Sequence, residues 1–246
     1  MRFQTVVRDC LYLNWALPRE ALRDPPGPLR HECHRYAGGS WVFASALLFH
    51  QTGVRIGPLS LPGLSYPQMN VRSDVSDAGS SAVLFHRMMV PRWISPGVRL
   101  LARIPCDGAR LRLPRPSREV GEGWVFRVEA GDERLEVEVR IGAPGPVQGP
   151  DLGPWTATTE YFRLRDRGYA RTNGVLRRID TAQESVPLWP VSAEVGEVGL
   201  VARSLGCSGA FPGVLHSAWL CPEIPLRFVL TRAAEPVLSA RLPAPG

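Results

Sequence analysis

Apolar and polar positions alternate along this chain in a way that marks out strands far more often than helices. Over residues 65–75, SYPQMNVRSDV, a strand puts Met69, Val71 and Ser73 on one face and Asn70, Arg72 and Asp74 on the other, because side chains alternate with period 2. One face packs, and the other presents an amide, a guanidinium and a carboxylate in a row. Facing water, such a row is an ordinary strand surface; facing the inside of a barrel, it is the wall of a pocket. Residues 3–16 read as a first strand. Residues 41–49, WVFASALLF, form a continuous apolar run after Gly38 and Gly39 and read as a central strand. After a turn at 77–80, SAVLFHRMMV over 81–90 returns as an antiparallel neighbour of the 65–75 strand, which would carry His86 or Arg87 close to Asn70 and Arg72.

Two hairpins follow. Trp124, Phe126 and Val128 alternate with charged or smaller neighbours, and Leu135, Val137, Val139 and Ile141 do the same across the AGDE turn. The second hairpin is read from 160–170 and 175–180, joined through Thr172, Asn173 and Gly174, since Asn-Gly suits a turn with positive φ at both positions. There Arg163, Arg165 and Arg167 share one strand face and Phe162 and Leu164 the other. The arginines are either a solvated edge or an inward row that Glu160 or Asp166 could pair with and a ligand carboxylate complete.

Helical signals are few. PREAL at 18–22 is a short helix opened by proline. Trp93, Val98, Leu101 and Ala102 have helical spacing around a helix starting near Pro96, before a strand over 109–113. Residues 23–29 and 142–154 are loops rich in proline, the latter also in glycine. From residue 185 come VPLWPVSAEV, a linker rich in glycine and small residues, a final strand over 224–230 with Trp219 and Phe228 in the core, and a tail containing proline.

Composition narrows the classes. With 246 residues, 44% hydrophobic and 21% charged, the chain is long enough for a sizeable core and is expected to be one domain over 1–246. No apolar run approaches the roughly 20 residues of a membrane span, and the first residues read as a strand rather than a signal peptide. Five scattered cysteines, an odd number, suit free thiols in a reducing cytoplasm. The formal charge is +6, yet all 29 basic residues are arginine, so no side-chain amine exists to form a Schiff base. Those arginines are spread along the whole length with no nucleic-acid motif, which disfavours nucleic acid as a partner. In HECHRY, His31, Cys33 and His34 lack the second pair of ligands that zinc requires, so no metal and no cofactor is expected.

The blocks YPQMNVR, SAVLFHRMMVPRW followed by VRLLARIP, YFRLRDRGYARTNGVLRR and VPLWPVSAEV occur in one order over most of the chain. In this the sequence resembles the uncharacterised prokaryotic family known as domain of unknown function 2071, which is placed with the acetoacetate decarboxylase-like fold. The resemblance implies an α+β protein, mainly antiparallel β: a large, strongly curved β-barrel or cone with a few short helices and a small-molecule pocket inside. Decarboxylases of that superfamily form an imine between a β-keto acid and a lysine that follows a proline. The matching place here is Ile104, Pro105, Cys106 and Asp107, without a lysine, so only the α-amine of Met1 could form an imine. Cys106 as a nucleophile would need an arginine to depress its pKa; the other reading is a buried structural cysteine.

Three readings follow. In the first, the barrel holds an organic acid through Arg72 and Asn70, with Arg163, Tyr161 and Trp189 in the wall. In the second, a non-imine enzyme uses the same pocket, with His86, Asp74 and Glu160 as acid and base, Cys106 as a candidate nucleophile and Arg72 stabilising an enolate or carboxylate. In the third, an interaction or structural protein fills its interior, and Arg72 and Asp74 form an ion pair. The expected partner is a small carboxylate-bearing molecule; no membrane is expected, and a homo-oligomer is compatible with the sequence.

Overall fold

The computed structural model describes residues 2–61, 63–102, 106–115, 123–142, 148–163, 165–183 and 186–231. The chain lays down β1 (Arg2–Pro18), a 3-10 turn (Arg19–Ala21), β2 (Arg30–His31), β3 (Cys33–Tyr36), β4 (Gly39–Ile56) and β5 (Leu59–Leu61). It continues with β6 (Tyr66–Asp77), β7 (Ser80–Pro91), α1 (Ser95–Ala102), β8 (Cys106–Arg112), β9 (Gly123–Ala130) and β10 (Glu133–Ile141). Last come α2 (Trp155–Arg163), β11 (Arg167–Thr172), β12 (Val175–Gln183), β13 (Trp189–Glu197), α3 (Gly199–Leu205) and β14 (Val214–Leu230).

All these strands belong to one 14-stranded sheet, antiparallel except where β7 pairs with β8 and with β11. The sheet branches. Strands β14, β1, β4, β6 and β7 form a wall common to two rings: β11 and β12 connect its ends on one side, and β8, β9, β10 and β13 connect them on the other. The result is ring-like without being a regular barrel, with the antiparallel-rich α+β character expected for the acetoacetate decarboxylase-like fold.

Alternation assigns each face of the common wall to one ring. Leu11, Leu13, Trp15 and Leu17 on β1, the Val42, Ala44, Ala46 and Leu48 face of β4, and Met69 and Val71 on β6 fill the larger ring together with Leu200, Val201 and Leu205 of α3. Full burial of side chains of this size contributes roughly 1.5–3 kcal/mol each, and this ring is the main core. The opposite face of the same strands points into the smaller ring.

Three bulges hold that division along strands too long to stay flat. Asp9 takes φ 53 and Gly53 φ 60, and each coincides with a register shift between β1 and β4. His86 is the extra residue where Val71 faces Arg87 and Arg72 faces Phe85. Each insertion bends its strand and flips the parity beyond it. Thus Phe3 and Val7 line the smaller ring before Asp9, and Cys10 and Tyr12 line it afterwards. On β4, Phe49 and Gln51 give way to Val54 and Ile56 beyond Gly53. β6 has no such insertion on the β4 side, so Tyr66, Gln68, Asn70 and Arg72 face inward in unbroken alternation.

The first hairpin is as the alternation indicates, with Val137 opposite Phe126. The Asn173-Gly174 turn joins β11 and β12 with φ 51 and 80. Residues 160–163 are a correction: they end the helix α2, not a strand. Trp155, Thr158, Thr159 and Phe162 recur at helical spacing, and the last three are buried. The chain re-enters the sheet only at Arg167, so Arg163, Arg165 and Arg167 do not share a strand face. The small-residue linker after VPLWPVSAEV is a second correction, since it holds the last two residues of β13 and all of α3, which closes on Gly206 at φ 75. The final strand begins at Val214, ten residues before 224. Leu164, Ile104, Pro105, residues 143–147 of the long loop, Met1 and the proline-containing tail lie outside the described residues.

A Cβ at residue 53 would meet nothing within 4 Å, so substitution there tests the backbone alone. Gly53→Ala is expected to lower the unfolding free energy by about 1–2 kcal/mol, the left-handed cost for a residue with a Cβ. Urea denaturation reads this directly, and an unchanged midpoint would mean that the β4 bend does not depend on that conformation.

Candidate functional site

The smaller ring contains a cavity of about 200 Å³ that continues into an inner chamber of about 90 Å³. Val7, Phe49, Asn70, Phe85, Thr181 and Leu226 line both, so the two are stacked along the ring axis. At the outer end Ile94, Gly97 and Val98, from the start of α1 and the turn before it, join Tyr66 and Phe228. At the inner end α2 acts as a plug. Its Phe162 is 1% exposed and packs edge-on against Phe43 at 5.0 Å and beside Trp219 at 5.6 Å.

The polar lining is a stripe on β6, Gln51 on β4, Thr181 on β12 and the inner end. On β6, Gln68 donates from Nε2 to Asn70 Oδ1 at 2.8 Å, which leaves the Asn70 amide nitrogen as the donor facing the cavity. Arg72, two residues further in and 8% exposed, donates from Nη2 to the Phe162 carbonyl at 2.8 Å. Its guanidinium also lies 5.9 Å from the Tyr12 ring centre. Its Nε is buried without a hydrogen-bond partner, and no carboxylate among the described residues forms a salt bridge with it.

Asp74 is engaged elsewhere. Arg165 reaches in from the segment between α2 and β11, and its Nη2 lies 3.3 Å from Asp74 Oδ2 and 3.4 Å from Glu32 Oε1. It also lies over the Tyr161 ring at 4.2 Å. Tyr161 in turn donates to Glu32 at 3.1 Å and sits 2.8 Å from His34 Nε2. Burial raises the Asp74 pKa and the neighbouring Arg165 and Arg72 oppose that shift. Burial, and then the Asp74 charge, push the Tyr161 phenol up, so it serves as a neutral donor.

The residues singled out in the sequence are therefore divided. Asn70 and Arg72 line the cavity, and so does Arg165. Asp74 is buried in the ion-paired cluster behind the inner chamber, and Tyr161 belongs to the same cluster. Arg163, at the end of α2, is buried but is not part of the cavity lining. None of the remaining candidates lines it. The bulge turns His86 to the other face of β7, where Nε2 meets Ser73 Oγ at 2.8 Å, and Arg87 pairs with Asp107 at 2.5 Å and with Glu133. Glu160 is exposed on α2. Cys106 is buried beside Val54, Tyr66 and Val90, and burial raises its thiol pKa despite a hydrogen bond with Ser95 and nearby Arg99. Trp189 pairs with Leu220 and borders a separate groove with Arg8 and His50.

Among the described residues no group of three or more potential ligands could hold a metal. The HECHRY side chains diverge: His31 meets the Arg23 carbonyl at 2.9 Å, His34 meets Tyr161, and Cys33 is exposed. No helix among the described residues is long and apolar enough to cross a membrane. Gln68 and Tyr66 were passed over in the sequence, although they continue the even face that carries Asn70 and Arg72. Phe3, Thr181 and Phe228 carried no comparable signal, because only ring closure brings them together.

Together these features define a ring-like β protein with a small interior cavity and a guanidinium at its inner end. The chain belongs to the domain of unknown function 2071 family, described as an uncharacterized conserved protein, whose model matches residues 4–221. No curated protein matches it. An acetoacetate decarboxylase-like enzyme from Sphingomonas wittichii RW1 shares the fold at a TM-score of 0.59 and 12% identity, covering 95% of this chain and 94% of that one. The enduracididine biosynthesis enzyme MppR, solved with the condensation product of pyruvate and imidazole 4-carboxaldehyde, has a TM-score of 0.59 and 11% identity over 95% and 88% of the two chains. Acetoacetate decarboxylase from Legionella pneumophila has a TM-score of 0.54 and 10% identity over 95% and 88%. At these identities the likeness concerns the fold.

Burial, with His31 nearby as the smaller cause, pushes the His86 pKa down to about 4. The unfolded chain then binds more protons than the folded one between that value and the ordinary ~6.5. The stability contributed by the neutral imidazole is thus complete above the ordinary value and is lost as pH falls towards about 4. Denaturation midpoints at pH 7.5 and 5.0 are expected to differ less in His86→Gln than in wild type. Equal differences would remove His86 from the acid response.

Proposed function

We propose that this protein binds a small organic acid in the smaller ring, with the carboxylate at Arg72 and Asn70. The observation that carries the reading is the Arg72 guanidinium, which lines the inner chamber at 8% exposure with no carboxylate paired to it among the described residues and with its Nε unsatisfied. Burying an unpaired charge costs several kcal/mol, and a planar guanidinium suits a carboxylate. The Asn70 amide adds a second donor on the same strand face. One structural neighbour, MppR, is described as complexed with pyruvate, itself a carboxylate.

The other two readings receive less support. An interaction protein with a filled interior is at odds with a cavity of about 200 Å³ inside the smaller ring. For catalysis, the proposed acid and base are poorly placed, since His86 and Glu160 point away from the cavity and Asp74 is held by Arg165. Chemistry through an imine has no side-chain amine to use, because the chain contains no lysine. The proposed role is therefore binding, with Arg72 as the anion-holding residue and Asn70 as its partner.

A carboxylate present at a hundred times its Kd should stabilise the protein by about 2.7 kcal/mol, well within reach of a thermal-shift screen of keto, hydroxy and simple carboxylic acids. Arg72→Gln is expected to weaken binding roughly 10- to 150-fold, the range of a charged hydrogen bond at about 1.5–3 kcal/mol. Asn70→Asp keeps the side-chain shape and places a negative charge beside the ligand, so it should abolish the shift. Acids that bind both variants as tightly as wild type would overturn the reading.

A further inference from the structure

The shape of the cavity says more about the ligand than its anionic group does. We infer that the acid carries an apolar tail, an unbranched chain of about eight carbons or an aryl-alkyl group, which lies along the outer cavity with its carboxylate at the inner end. This rests on the acid-binding reading above and specifies the part of the ligand that Arg72 does not touch.

Three observations support it. Polar side chains in the outer cavity are few, Gln51, Gln68, Asn70 and Thr181, and the rest of its wall includes Phe3, Val54, Ile56, Met88, Val98 and Phe228. A short polar acid held at Arg72 would leave that apolar space filled with water that finds few hydrogen-bonding partners, whereas an apolar tail would displace it. Second, the space is long and narrow. Tyr66 and Arg72 both face inward from β6, six residues apart, which spans roughly 20 Å at about 3.3 Å per residue, more than an extended eight-carbon acid needs, so volume and not length limits the tail. Third, the volume is small. With a water's share of about 30 Å³, chambers of about 200 and 90 Å³ hold on the order of ten water-sized groups, close to the ten non-hydrogen atoms of octanoate. That is below the ~300–1,000 Å³ of pockets for drug-sized ligands.

Isothermal titration of the full chain with acetate, butanoate, hexanoate, octanoate, decanoate and 3-phenylpropionate tests the inference, with octan-1-ol as the uncharged control. Affinity is expected to rise up to about fourfold per added methylene, the value for burying one CH2, to peak near octanoate, and to be matched by 3-phenylpropionate if the space accepts a ring. Met88→Trp fills the outer cavity at the level of Asn70, within reach of the tail, and should weaken octanoate at least tenfold with a smaller loss for acetate. Its ligand-free melting midpoint checks that it folds.

Binding of acetate and butanoate with no gain at greater length would overturn the tail and leave the acid reading intact. Octan-1-ol binding as tightly as octanoate would overturn the acid reading and keep the apolar one. Failure of every probe in a folded protein would overturn both.

Discussion

Everything in this structure depends on a wall of five strands, β14, β1, β4, β6 and β7, that serves two enclosures at once. A strand offers its side chains alternately to its two sides, so each residue spent on the core is followed by one given to the cavity. Met69 and Val71 anchor β6 in the larger ring, and because they do, Asn70 and Arg72 must face the smaller one. The polar stripe is held by the packing on its reverse side. Sliding β6 by one residue would put Arg72 into a core of leucine, valine and methionine, which fixes the register more firmly than the polar contacts could.

The two rings solve the space behind that wall differently. In the larger one α3 inserts Leu200, Val201 and Leu205 into the core, and a space of about 600 Å³ remains at its edge along Trp15, Val191, Phe211 and Ala218. In the smaller one α2 stops at the end, with Phe162 packed against Phe43 and Trp219, and the volume beyond it is left to the cavity. Arg72 links plug and wall through the Phe162 carbonyl, one of the helix-end acceptors without an intrahelical partner. The guanidinium is thus positioned by an ordinary helix-capping need. Arg165, two residues past the helix, forms the salt bridges to Asp74 and Glu32, while Arg72 acts on Asp74 only at longer range.

Much of this was legible in the sequence where one rule operated without interruption. The even face of β6, the hairpin of β9 and β10 and the Asn173-Gly174 turn follow from alternation and turn chemistry. His86 was misplaced by a single inserted residue, which leaves the hydrophobic pattern nearly unchanged and turns the side chain to the opposite face. Glu160 and Arg163 were misplaced because the alternating RLRDR looks like a strand, while Trp155, Thr158, Thr159 and Phe162 carry the helical period that prevails. The inward turn of Arg165 depends on Asp74, a partner 91 residues away, and no local pattern contains that information.

If the cavity binds an acid as proposed, the placement of charge and apolar surface gives it two unequal kinds of selectivity. Along the outer walls each buried methylene of a ligand is worth about fourfold in affinity, so chain length is read gradually. At the inner end a ligand without a negative charge leaves a desolvated guanidinium unpaired in surroundings where water cannot readily replace the missing partner. That penalty is several times larger than the gain from one methylene. On that proposal Arg72 decides whether a molecule is accepted, and the apolar walls decide only which members of the accepted class fit best. The order follows from burial: the same arginine on the outside of the ring, solvated and screened, would discriminate very little.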